Sequence, residues 1–170
     1  IDAGWCPSLM KGEEFQKLCE LAYPFHPSTL VVLPYIFKRL AQNERSIFAF
    51  LTSFEPFGFQ EFLRNNSTPI FLRLFDLFDY ITANFQGRLY ASNRARALTE
   101  TLERLNTTTE LSQLEINVLK TIGLLNWLGE VSPIQATEAL LSSALVSDEV
   151  SYTSIRHTLA SLKKRSVIVF

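Results

Sequence analysis

The sequence predicts a mainly α protein, and three observations lead there. Apolar residues recur at helical spacing along most of the 170-residue chain. Strand-like alternation is almost absent before Val167. A polar, β-branched stretch, Asn106-Thr107-Thr108-Thr109, has no apolar period and reads as a linker. The expected architecture is a helical bundle over residues 1–109, followed over 110–170 by three short helices and a terminal strand. That is the element order of a truncated winged-helix domain. A plain helical bundle with a frayed tail is the alternative.

Glu13 to Tyr23 places Phe15, Leu18, Cys19 and Ala22 on one helical face. Tyr23-Pro24-Phe25-His26-Pro27 breaks that helix, because each proline pushes its predecessor toward extended backbone. Pro27 suits the first turn of the next helix, expected to reach Ala41, with Pro34 kinking it or marking a second start. Asn43 is the expected N-cap of a helix to Ser53, followed by the turn Glu55-Pro56-Phe57-Gly58. Shorter helices are expected over Phe59 to Arg64, Ile70 to Phe85 and Ser92 to Leu105. Nine of the fourteen phenylalanines fall between Phe48 and Phe78, and helical spacing makes most of them core, as in the stripe Phe71, Leu74, Phe75, Phe78, Ile81. Phe54, Phe57 and Phe59 surround a turn instead. They are the candidate docking residues for a neighbouring domain or a second copy.

Beyond the linker, Leu114, Val118, Leu119, Ile122 and Leu125 mark one helix. Ile134 to Leu145 marks a second, after Val131-Ser132-Pro133. Tyr152 to Lys164 marks a third, with Ile155, Leu159 and Leu162 inward, leading into Ser166-Val167-Ile168-Val169-Phe170.

Composition narrows the function classes. At 47% hydrophobic and 19% charged the chain is of the globular kind, and a formal net charge of −1 gives no global attraction to nucleic acid or anionic membrane. No run of about 18 apolar residues is present, so a spanning helix is not expected. Cys6 and Cys19 cannot build a disulfide scaffold, and no second Cys/His pair stands at metal spacing. Two reduced thiols and no visible signal peptide point to the cytoplasm. The start at Ile1 and the apolar end SVIVF suggest a piece of a longer protein.

The chain has no GxxxxGK[ST] phosphate loop, GxSxG elbow, HExxH or CxxC. No catalytic residue, metal ligand or cofactor is therefore assigned to it. His26, flanked by prolines, reads as a structural turn residue, and His157 as solvated. Asp76 and Asp79 read as a solvated helix edge.

Two groups of cations remain. The third C-terminal helix carries Arg156, Lys163 and Lys164, the residues that would meet DNA in a winged helix. Against this, residues 111–170 hold five basic and five acidic side chains, 5 − 5 = 0, and cations at a helix C-terminus favour its dipole anyway. Protein docking or a structural role competes with DNA binding. The other cation is Arg45. At about 100° per residue, Ile47, Phe50, Leu51 and Phe54 cluster on one side of its helix, and Arg45 lies on another, beside Ala49 and Thr52. In the first turn it would oppose the dipole by about 0.3–1 kcal/mol. An anion there would meet backbone N–H groups and a guanidinium together. An ordinary surface arginine is the alternative.

The segment YPFHPSTLVVLPYIFKRLAQNERSIFAFLTSFEPFGFQEFL, Tyr23 to Leu63, resembles a stretch of large bacterial P-loop ATPases related to the AAA+ and STAND groups, many of them in antiviral defence loci. The resemblance covers about a quarter of the chain. It implies a helical lid over residues 1–109 and a winged helix after it, with Arg45 as the sensor 2 arginine that reaches a γ-phosphate. Glu44 departs from the usual lid pattern, in which proline or glycine is frequent. ATP and Mg would then belong to an ATPase core elsewhere in the same longer protein, and that core would be the principal partner.

Overall fold

A computed structural model describes residues 4–40, 45–66, 70–85, 95–129 and 131–168. Among these residues the chain forms nine helices and no strand: α1 Gly12–Leu21, α2 Pro27–Leu40, α3 Arg45–Thr52, α4 Phe59–Asn65, α5 Leu74–Asn84, α6 Arg96–Thr107, α7 Gln113–Leu128, α8 Glu138–Leu145 and α9 Tyr152–Lys164. The mainly helical expectation holds.

The arrangement follows from α7. Its apolar residues leave little of a polar face, so the helix must be covered on nearly every side. Leu119, Leu124, Leu125 and Leu128 are among its buried side chains. α5, α6, α8 and α9 all pack against it, and α2 also reaches it. The start of α7 is a capping box: the Ser112 hydroxyl accepts the Glu115 N–H, and the Glu115 carboxylate accepts the Ser112 N–H at 2.8 Å. Asn106 and Thr107 extend α6 by its last turn, and the chain reverses at Thr108–Glu110, with Glu110 at φ 60°. Buried residues on both sides of that reversal, from Trp5 to Ile168, form one continuous core.

α2 runs through Pro34 without interruption, because Pro34 lies on its exposed side while Val32, Leu33, Ile36 and Phe37 are buried. Ahead of α2, the chain passes a cis Tyr23–Pro24 bond and pairs with Leu72. His26 donates its N–H to the Leu72 carbonyl at 3.0 Å, and Leu72 donates to Pro24 at 2.8 Å. The Thr29 hydroxyl adds a bond to the same Leu72 carbonyl. These bonds fix His26 beside the start of α5.

The three C-terminal helices appear in the expected order, and the last has the expected limits. α9 spans Tyr152–Lys164 with Ile155, Leu159 and Leu162 buried. α8 starts at Glu138 rather than Ile134, because Thr137 caps it: its hydroxyl accepts the Leu140 N–H. Instead of extending as a strand, Ser166 turns at φ 56° and closes a Schellman cap. Its N–H donates to Lys163, and that of Val167 to Leu162, both at 2.9 Å. Ile168 then enters the core. Val169 and Phe170 lie outside the described residues.

Candidate functional site

Each expected site residue has a distinct fate. α3 begins at Arg45, but the Arg45 side chain, Asn43 and Glu44 lie outside the described residues. The sensor geometry is accordingly not part of the described site.

The three phenylalanines at the α3–α4 corner do not share a face. Phe54 and Phe57 are 67% and 54% exposed, and the Arg64 guanidinium lies over the Phe54 ring at 4.9 Å. Phe59 turns inward and stacks on Phe25, with centroids 4.9 Å apart and planes inclined by 12°. It belongs to an aromatic cluster that includes Phe50, Phe37 and Tyr80. The corner itself is held from several directions. Gly58 donates to the Glu55 carbonyl, Asn84 to the Pro56 carbonyl, the Tyr80 hydroxyl to the Glu55 carboxylate, and the Phe57 N–H to the Glu61 carboxylate. Phe57 sits at φ 58°, a conformation that favours glycine.

On α9, Arg156, His157, Lys163 and Lys164 are all exposed. Arg156 already pairs with Glu138 of α8 through Nε at 3.0 Å. Arg165, just past the helix, donates to Glu115. The outward face of α9 is thus basic at its end and charge-compensated near its start.

Asp76 and Asp79 are not a solvated edge. Asp79 accepts from Lys120 of α7 at 2.7 Å, and Asp76 accepts the Arg73 N–H at 2.7 Å. Burial pushes the Asp76 carboxyl up to about 6, against the lowering effect of that hydrogen bond. No His, Cys, Asp and Glu group among the described residues could hold a metal ion. No helix among them is long and apolar enough to cross a membrane.

The feature that spacing did not reveal is a pair of clefts meeting at His26 and Val146. One, of about 830 Å³, lies between the start of α2 and the α8–α9 pair and includes Trp5, His26, Ser142, Tyr152 and Arg156. The other, of about 680 Å³, includes His26, Phe71, Arg73, Asp76 and Asp148. His26 Nδ1 lies 2.7 Å from the Ser28 hydroxyl and accepts the Ser28 N–H at 3.3 Å. Burial, then the Arg73 charge, lower its pKa to about 3. The imidazole is neutral at physiological pH. Trp5 is anchored by its indole N–H on the Ser143 hydroxyl at 2.7 Å. Only the nearby Pro24 and Pro27 hinted that His26 occupies a fixed turn; its partners outside its own turn, Phe71 and Leu72, are 45 and 46 residues away in sequence.

No protein-family model, characterised protein or solved structure matches the chain.

Proposed function

We propose that the chain is the regulatory lid and winged-helix region of a larger ATP-dependent P-loop protein, with residues 1–109 as the lid-like part and 110–170 as the winged-helix-like part. The Tyr23–Leu63 resemblance supplies the ATPase link. The observation that carries the coupling role is α7, which packs both against α5 and α6 and against α8 and α9. A displacement of the lid would therefore move the C-terminal helices through shared packing rather than through a loose linker. Arg45 would answer to the γ-phosphate of ATP bound with Mg in the core. Phe54 and Phe57, held outward on a fixed corner, would be the surface that meets that core or another partner. Arg45→Ala in the full-length protein is expected to lower ATP turnover by about tenfold or more, with stability unchanged within about 0.5 kcal/mol. Undiminished steady-state hydrolysis would sink the sensor role.

A DNA-binding regulator is the second reading. It is favoured by the mutual packing of α7, α8 and α9, the three-helix frame that presents a recognition helix, and by the exposed Arg156, Lys163 and Lys164. Duplex retardation that weakens steeply with salt, and weakens further in Lys163→Gln/Lys164→Gln, would favour it. Absence of binding at low salt removes it.

A further inference from the structure

The two clefts share His26 and Val146, and the ATP-linked reading uses neither of them. We infer that together they form one groove that docks a short peptide segment of a partner protein, with an apolar side chain in the larger cleft and a basic one in the smaller.

The halves differ in charge, and that difference sets the occupant. In the larger cleft Arg156 pairs with Glu138 and His26 is neutral, so the lining carries no net charge. Trp5, Pro27, Ala139 and the Tyr152 ring supply its walls, and the Trp5 indole N–H is already engaged by Ser143. This half offers apolar and aromatic surface, which matches an apolar side chain. The charged residues of the smaller cleft are Arg73, Asp76, Asp148 and Glu149. Arg73 offsets Asp76, and its guanidinium is turned onto the Ala144 carbonyl at 2.7 Å. Asp148 and Glu149 are exposed and have no hydrogen bond or ion pair among the described residues, so both their charges stand uncompensated.

The wall beside them is aromatic. Phe71 is 41% exposed, and Ile70 lies next to it. A Lys or Arg side chain can lay its stem on such a wall while its head reaches a carboxylate. A bare metal ion has no such means, and no group of described residues could hold one.

Docking has to come through side chains, because the described residues offer no sheet edge to extend. This chain has a basic–apolar run of its own, Lys163 to Ile168, but that run is folded. Arg165 holds Glu115, Ser166 turns in the cap of α9, and Ile168 is buried. A second copy would have to unfold that end to insert it, so the occupant is a different protein. The groove does not depend on whether the parent protein hydrolyses ATP.

Selection of a random heptapeptide phage library on the full chain tests this. Retained peptides are expected to combine Lys or Arg with Leu, Phe or Trp. Fluorescently labelled, they should bind about tenfold more weakly to Asp148→Lys/Glu149→Lys, and to a similar degree more weakly to Ala139→Trp, which fills the larger cleft. All three positions are exposed, so these replacements do not threaten folding. Affinity should also fall as salt rises. Failure to retain any peptide, or retained peptides that respond to neither variant, overturns the groove. Retained acidic peptides, or affinity unchanged in Asp148→Lys/Glu149→Lys, overturn the charge assignment. Self-association of the full chain that disappears in Asp148→Lys/Glu149→Lys overturns the assignment to a different protein.

Discussion

The Arg165 guanidinium donates to the Glu115 carboxylate across 2.5 Å, tying the end of α9 to the first turn of α7. Glu115 also accepts from the Ser112 N–H and hydroxyl, so one carboxylate completes a helix cap and joins two helices. The Ser112 N–H bond is the largest of the effects that hold its pKa below the usual 4.5; the Ser112 hydroxyl and Arg165 add to it. The unfolded chain then takes up this proton at higher pH than the folded one. The stabilisation is full above the ordinary carboxylate range and is lost as pH falls through the folded value. Glu115→Ala is expected to destabilise by about 2 kcal/mol at neutral pH. Urea denaturation from pH 7 to pH 3 should show the deficit shrinking on acidification; a deficit independent of pH would refute the linkage.

Gly123 marks where α6 and α7 approach too closely for a side chain. A Cβ there would lie 2.3 Å from the Thr101 Oγ1 and 2.9 Å from its Cβ and Cγ2. Gly123→Ala should therefore destabilise by about 1–3 kcal/mol, although alanine is the better helix former. Thr101→Ala on that background removes the two outer atoms and should recover part of the loss. Additive losses in the double-mutant cycle would show that the clash is relieved elsewhere.

How much of this was legible in the chain depended on the range of the interaction. The limits of α9 and the Ile155, Leu159, Leu162 face follow from local periodicity. The Ser112 capping box is also a local signature, and Thr137 ahead of Glu138-Ala139-Leu140 is the cap signal that starts α8. Phe59 shows where local reading stops: its turn flanks resemble those of Phe57, and Phe25, 34 positions earlier, together with Phe50 draws it inward. Asp76 and Asp79 have the spacing of a solvated edge, but Lys120 reaches Asp79 from another helix. The large cleft joins the amino-terminal segment, α2, α8 and α9, a conjunction no single stretch announces.

His26 and Asp76 should make opposite contributions to stability in acid. The folded pKa of His26, about 3, lies below its ordinary 6.5, so the unfolded chain binds the extra proton and stability is lost as pH falls below 6.5. The folded pKa of Asp76, about 6, lies above its ordinary 3.8, so the folded chain binds the proton and stability is lost as pH rises through 6. Between pH 4 and pH 6 the two slopes oppose, each approaching about 1.4 kcal/mol per unit. Asp76→Asn should steepen the loss of stability on acidification, and His26→Gln should flatten or invert it. Parallel profiles for wild type and both variants would contradict the assignment.

Phe57 is strained where it is most exposed. Its φ of 58° sits at the third position of the Glu55–Gly58 turn, where glycine is preferred. More than half of the residue is exposed, so its removal forfeits little burial. The N–H bond to Glu61 is a backbone donation that any non-proline residue keeps. Phe57→Gly is therefore expected to leave the fold intact and stabilise it by about 0.5–1 kcal/mol. Chemical denaturation measures that gain. If partner binding by the full-length protein falls while stability rises, the strain serves display of the ring, as backbone outliers at functional sites do. A loss of stability instead would mean that the ring packs more tightly than its exposure implies, and the display argument would fail with it.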